Sequence, residues 1–182
     1  MQSVSNSNFG PLIAYLVPGA TVLLGFSQFL PLVHGWLFGG DPGVPTIGGF
    51  LYLTVAALAI GMVVSAVRWA VIDTLHGWTG LVMPPLDFSE LGKNVEAFSL
   101  LIRIHYEHCQ FYANMLIATA VAYTCYRVNL GVPLSLGLPD LGFVLLETVF
   151  YATSRDTLRK YYTRSQQLLS LRTDTHGHSV NL

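Results

Sequence analysis

Charge is what this chain has least of. Only 10% of its 182 residues are Asp, Glu, Lys or Arg, where a soluble domain carries about 25%. From Met1 to Gly40 there is no formally charged side chain at all. A water-facing surface cannot be built that way. The net charge of −1 leaves no basic footprint for nucleic acid, so no nucleic-acid partner is expected. Cysteine is nearly absent too. Cys109 and Cys125 are sixteen residues apart on what reads as one helix, too far to bridge each other, and no C-x-x-C pair exists. A disulfide framework is excluded. The chain also lacks a P-loop, a zincin motif, a nucleophile elbow and a dinucleotide fingerprint, which weakens an enzymatic reading.

What remains is apolar. Hydrophobic residues make up 52%, gathered into four stretches that read as membrane segments, the last of them short. The N-terminal MQSVSNSN has no positive region of a secretory signal, and the apolar run behind it is too long for one, so a retained segment is expected. That run, 9–33, can cross a bilayer core of about 30 Å at ~1.5 Å per residue. Asn8 can cap it, Pro11 suits its first turn, and Pro18 should kink it, leaving a carbonyl for a neighbour to satisfy. GGDPGVP at 39–45 reads as a tight extramembrane loop. The second span, 47–67, carries Ala57, Gly61 and Ser65 at four-residue spacing, a ladder that allows close helix approach, and its pattern continues through RWAVIDTLH to His76. The third, 109–126, is the inner part of one helix running from about Val95 to Val128. The fourth, 141–154, is short and contains Glu147.

Basic residues support four crossings. With the N-terminus inside, the cytoplasmic loop 68–108 and the tail hold Arg68, Lys93, Arg103, Arg155, Arg159, Lys160, Arg164 and Arg172, against Arg127 alone outside. That is a strong positive-inside bias. The expected architecture is an all-α integral membrane protein: a four-helix transmembrane bundle over 1–154, a cytoplasmic helical extension, both termini cytoplasmic, and a C-terminal region 155–182. The latter is a basic amphipathic helix striped with Leu158, Tyr161, Tyr162, Ser165, Leu168 and Leu169, then a disordered tail. Between the second and third spans, Asp87 and Glu90 resemble a capping box behind Pro84 and Pro85.

The polar residues inside the apolar stretches carry the functional reading. At 100° per residue, Arg103, Glu107, Gln110 and Asn114 share one helix face and form a seam into the bilayer. Asp140, Glu147, Tyr151 and Ser154 share a face of the fourth helix. Glu147, roughly 12 Å deep, and Asn114, roughly 16 Å deep, are expected to meet, with Arg68 toward the inner end. An ionisable group inside a span costs about 2.5 to 3.5 kcal/mol on insertion scales and is usually paired or functional. His105, His108 and Cys109 lie within one turn on the opposite face and could offer three ligands to an ion, but without a clear fourth, so interfacial packing is preferred and no metal is expected. Haem between His76 and a third-helix histidine is set aside because no histidine lies deep in a span, and no cofactor is implied.

The resulting expectation is a non-enzymatic multi-pass protein, an oligomeric or accessory subunit, partnered by lipid and by itself or another membrane subunit. Its seam would lie between helices or line an ion or small-solute pathway. The alternative is a small membrane-embedded enzyme on a lipid-like substrate with Glu147 as acid or base.

Overall fold

Every regular element in the computed structural model is helical among the residues it describes, 9–39, 47–86, 88, 91–131 and 137–170. Asn8, positions 40–46, Asp87, Glu90, the side chain of Lys93 and the tail from 171 lie outside the described residues. In chain order the elements are α1 (Phe9–Phe26), α2 (Pro31–Phe38), α3 (Ile47–Arg68), a π-helical turn (Trp69–Asp73), α4 (Thr74–Trp78), α5 (Leu91–Leu101), a second π-helical turn (Ile102–Tyr106), α6 (Glu107–Leu130) and α7 (Leu138–Ser170).

The first apolar run is not one helix, as the sequence suggested. It breaks after Phe26, and Pro31 gives the reason: proline cannot donate an N–H, and it drives the preceding residue out of helical geometry. Leu30 accordingly sits at φ −111°, ψ 102°, and Pro31 opens α2 as its first residue. Pro18, by contrast, stays inside α1. A proline there deprives the carbonyl four residues earlier of its donor. That carbonyl belongs to Ala14, and Asn114 of α6 donates Nδ2–H to it at 3.0 Å. The helix survives its proline because a neighbour repairs it.

Small residues decide how closely the helices pack. A Cβ on Gly19 would lie 1.8 Å from the Ala57 carbonyl oxygen, and one on Gly61 would lie 2.0 Å from that of Tyr15. Backbone therefore touches backbone where α1 and α3 cross antiparallel, residue 15 against 61 and 19 against 57. The ladder seen in α3 has its complement in α1. Gly25 plays the same part against Ala122 of α6. Further contacts run antiparallel between α6 and α7, from Tyr123 on Phe143 to Cys109 near Ser154 and Tyr106 on Tyr161. The helices α1, α3, α6 and α7 thus alternate in direction.

Ile47–Trp78 is one continuous helix through its π turn, and among the described residues it alone is long and apolar enough by itself to cross a bilayer; Leu12–Phe26 is a shorter apolar helix. α6 is diluted by Gln110, Asn114 and its Thr and Tyr residues, and α7 by its charges. At 33 residues, α7 is about 50 Å long at ~1.5 Å per residue, well beyond a bilayer core of about 30 Å. It passes position 154/155 without interruption, and its last turns pack on α5 and the second π turn through Phe98, Tyr106 and Tyr161. Together with 68–78 and 91–106 they form a helical head at one end of the bundle.

Candidate functional site

The seam residues are separated by the fold into three places. Gln110 reaches from α6 to both α1 and α3, donating to Tyr15 Oη at 2.8 Å and to Ser65 Oγ at 3.2 Å. Asn114, fully buried, repairs α1 as described. Glu147 does not meet Asn114, contrary to the depth argument. Its Oε1 accepts instead from Thr119 Oγ1 at 2.6 Å, one turn and more further along α6. Helical depth alone could not tell which neighbour each face would find: α6 turns Asn114 toward α1 and Thr119 toward α7. At the end remote from the head, Asp140 accepts from Tyr123 and pairs with Arg127 at 3.2 Å. Arg103 is exposed on the head, and Glu107 lies with His108, Phe111 and Tyr112 beside Ile13 and Ala14 in a groove of about 260 Å³ between α1 and α6.

The histidine and cysteine trio also disperses. A π turn holds about one residue more than an α turn, so Ile102–Tyr106 rotates what precedes it relative to α6. His105 is buried against Arg164, whose Nη1 donates to its Nε2 at 2.7 Å. That fixes a neutral imidazole, and burial, followed by the Arg164 charge, holds its pKa below the ordinary 6.5. His108 faces the α1 groove. Cys109 points into the bundle, with Sγ 3.6 Å from Ser154 Oγ. Among the described residues no group of three His, Cys, Asp or Glu side chains converges as a metal site would require.

What the fold does assemble is a cavity of about 410 Å³ where the apolar bundle meets the head. Arg68, Asp73, His76 and Cys109 line it together with Trp69 and three tyrosines, Tyr106, Tyr161 and Tyr162. The π turn Trp69–Asp73 is what joins the first two: Arg68 Nη1 donates to Asp73 Oδ1 at 3.0 Å and Oδ2 at 3.1 Å across a separation of five residues, π-helical and not α-helical spacing. Arg68 is 5% exposed. A charge buried that deeply requires a partner. Burial pushes the Asp73 carboxyl above the ordinary 3.8, while Arg68 and then His76 pull it back. His76, 1% exposed, stacks on Tyr151 with ring centroids 5.3 Å apart and holds Ser154 Oγ 3.2 Å from Nε2. Burial lowers its pKa below 6.5, Arg155 and Arg68 act in the same sense, and Asp73 opposes them.

Two buried nitrogens at this cavity find no hydrogen-bond partner among the described residues: Nε of Arg68 and Nδ1 of His76. Both belong to residues that line it. Buried polar groups left so are costly and call for an account. Nearby, Arg155 ties α7 to the end of α4, bonding Thr79 Oγ1 and donating Nη2–H to the Thr79 carbonyl at 2.9 Å. Of these residues the sequence reading had weighed Arg68 and Tyr151 as seam members, Cys109 and His76 as ligands, and Ser154 only as a face neighbour. It missed Asp73. The signal was the i, i+5 spacing of Arg68 and Asp73 in an otherwise apolar segment, which no α-helical wheel brings together. No protein-family model matches the chain, and neither a curated protein nor a solved structure is significantly similar to it.

Proposed function

We propose that the chain is a multi-pass membrane protein of four crossings with both termini cytoplasmic, acting as a non-enzymatic, accessory or oligomeric subunit whose working site is the cavity between bundle and head. The observation that carries this reading is inverted polarity. Asn114, Ser154 and Ser165 are 0% exposed, whereas Phe50 is 67%, Met62 60%, Val63 62% and Leu138 84% exposed. Water would reverse that arrangement, and hydrocarbon favours it. The alternation of α1, α3, α6 and α7 supports the same topology, because it gathers Arg68, Arg103, Arg155, Lys160 and Arg164 at the head end and leaves Arg127 at the other.

The seam fastens helices and does not open a pathway. Gln110, Asn114 and Glu147 each bond to another helix of the same chain, which favours packing over conduction. Catalysis by Glu147 on a lipid-like substrate is supported by no contact, since Thr119 occupies its carboxylate and it lies about 10 Å along α7 from Ser154 at ~1.5 Å per residue. Reporter fusions after residues 40, 85, 135 and 182 test the topology. We expect cytoplasmic signals at 85 and 182 and extracytoplasmic ones at 40 and 135; an extracytoplasmic signal at 182 would end the four-crossing reading.

A further inference from the structure

Resting on the membrane reading above, we propose that the head does not stand clear of the bilayer but lies in the headgroup layer of the cytoplasmic leaflet, where it docks on anionic phospholipid. The argument begins where the second crossing should end. Past Arg68, a helix leaving the membrane ought to turn polar side chains to water. This one does not. Every exposed side chain from 66 to 78 is apolar except that of Thr74, which directs its hydroxyl onto the Ala70 carbonyl at 2.9 Å. Asp73 is half-buried and engaged by Arg68. Trp69 is 71% exposed, Trp78 84%, and Val82, just beyond them, 74%. The same surface runs back to the exposed Phe50, Met62 and Val63 of α3, so one apolar medium suits both. That continuity favours lipid over a protein partner as the cover.

Length agrees. Ile47–Trp78 has 32 residues, about 48 Å at ~1.5 Å per residue. The average membrane-helix tilt of about 20° shortens this to about 45 Å along the bilayer normal, the thickness of a bilayer with its headgroup regions. Trp78 then falls at the inner interface, a level at which tryptophan is enriched. Charge selects the lipid. The loop after α4 lies over α7, and a recess of about 170 Å³ between them is lined by Arg159, Tyr162, Thr163 and Gln166 with Leu81 and Val82. No carboxylate is among the described residues lining it. Of the neighbouring cations of α7, Arg155 is held by Thr79, Lys160 by Asp156 and Arg164 by His105. Arg159 is exposed and has neither a hydrogen bond nor an ion pair among the described residues. A guanidinium with hydroxyl and amide donors around it matches the phosphodiester of an anionic lipid, while Trp78 and Val82 enter the boundary with its chains.

The test makes Trp78 the only tryptophan of the full chain (Trp36→Phe, Trp69→Phe), reconstituted in phosphatidylcholine liposomes. Its fluorescence is quenched either by lipid brominated on the acyl chain just below the headgroups or by aqueous acrylamide. We expect quenching by brominated lipid, roughly two-fold or more stronger for a minor fraction of brominated phosphatidylglycerol than for the same fraction of brominated phosphatidylcholine. High salt should lower that excess, and Arg159→Gln, a surface change with parental melting, should remove most of it. Quenching by acrylamide and not by brominated lipid would overturn the proposal by placing the head in water. Shielding from both would overturn it by showing that protein, a second copy included, covers the surface. Equal quenching by the two brominated lipids would overturn it as well, as would an excess undiminished in folded Arg159→Gln. A chain that alkaline carbonate strips from the liposomes defeats the membrane reading on which the proposal rests, an outcome distinct from an inserted chain whose Trp78 stays in water.

Discussion

Asn114 and His76 are both sealed from solvent, at 0% and 1% exposure, yet they sit in regions of opposite character. Asn114 belongs to the mid-bundle seam, where each polar side chain compensates a defect or bridges two helices: it caps the carbonyl that Pro18 leaves open, as Gln110 ties Tyr15 to Ser65. His76 belongs to the junction with the head, where its Nδ1 and the Nε of Arg68 are sealed without a hydrogen-bond partner among the described residues in side chains that line a cavity. Asn114 Oδ1 is likewise without a partner among the described residues, so the two regions differ less in how fully they are satisfied than in the cavity that His76 lines and Asn114 does not. Buried polarity in a helical bundle therefore has to be read by what it is bonded to, because depth and charge alone treat both regions alike.

The largest expected effect lies in the seam region. Gly61→Leu would drive a side chain into the Tyr15 carbonyl, which a Cβ alone would approach to 2.0 Å. Backbone cannot step aside as a side chain tip can, so the cost should exceed the roughly 1–3 kcal/mol of ordinary overpacking, and the bundle should not assemble in detergent. Gly142 provides the contrast: a Cβ there meets nothing within 4 Å, so Gly142→Ala in α7 should stabilise by about 0.4–1 kcal/mol through the unfolded chain. Thermal melts of both variants in the same detergent measure the difference. A folded Gly61→Leu with parental melting would mean that α1 and α3 are not in backbone contact.

A smaller effect should separate seam from junction directly. Asn114→Leu strands the Ala14 carbonyl inside the bundle and should cost on the order of 0.6–1.7 kcal/mol, the range found for interhelical hydrogen bonds in bilayers. His76→Leu removes an unpaired nitrogen along with one bond, and Ser154 keeps Cys109 as a partner. It should cost less stability than Asn114→Leu. If the two variants reverse that order in melting, the distinction between a fastening seam and the junction is wrong.

Much of this architecture was legible in the sequence, and the parts that were not share a physical cause. The charge-free runs, the Ala57 and Gly61 ladder, the continuation past Arg68 and the docking stripe of the last helix all follow from α-helical periodicity. The helix break at Pro31 was hidden by an apolar run that looked long enough to cross. The two π turns were invisible to a 100° wheel, and one of them decides the site by bringing Asp73 onto Arg68. Pairing across helices was the remaining blind spot. Nothing in one sequence says that Asn114 faces α1 and Thr119 faces α7.

Glu147 is where the seam reading is most exposed, and it carries the smallest expected effect. Thr119 donates to its carboxylate at 2.6 Å on the α6–α7 contact, so the residue is expected to hold register between two helices and nothing more. Glu147→Gln keeps an oxygen to accept that bond and should melt like the parent. Glu147→Leu loses the bond and should cost about 0.6 kcal/mol, the mean for such contacts in a bilayer. A proton or ion role would separate the variants differently: Gln would fold normally yet lose ion flux in proteoliposomes that the parent displays. Equal, background-level flux for parent, Gln and Leu alongside the small stability loss in Leu alone assigns Glu147 to packing, and flux in the parent that Gln abolishes would return the seam to conduction.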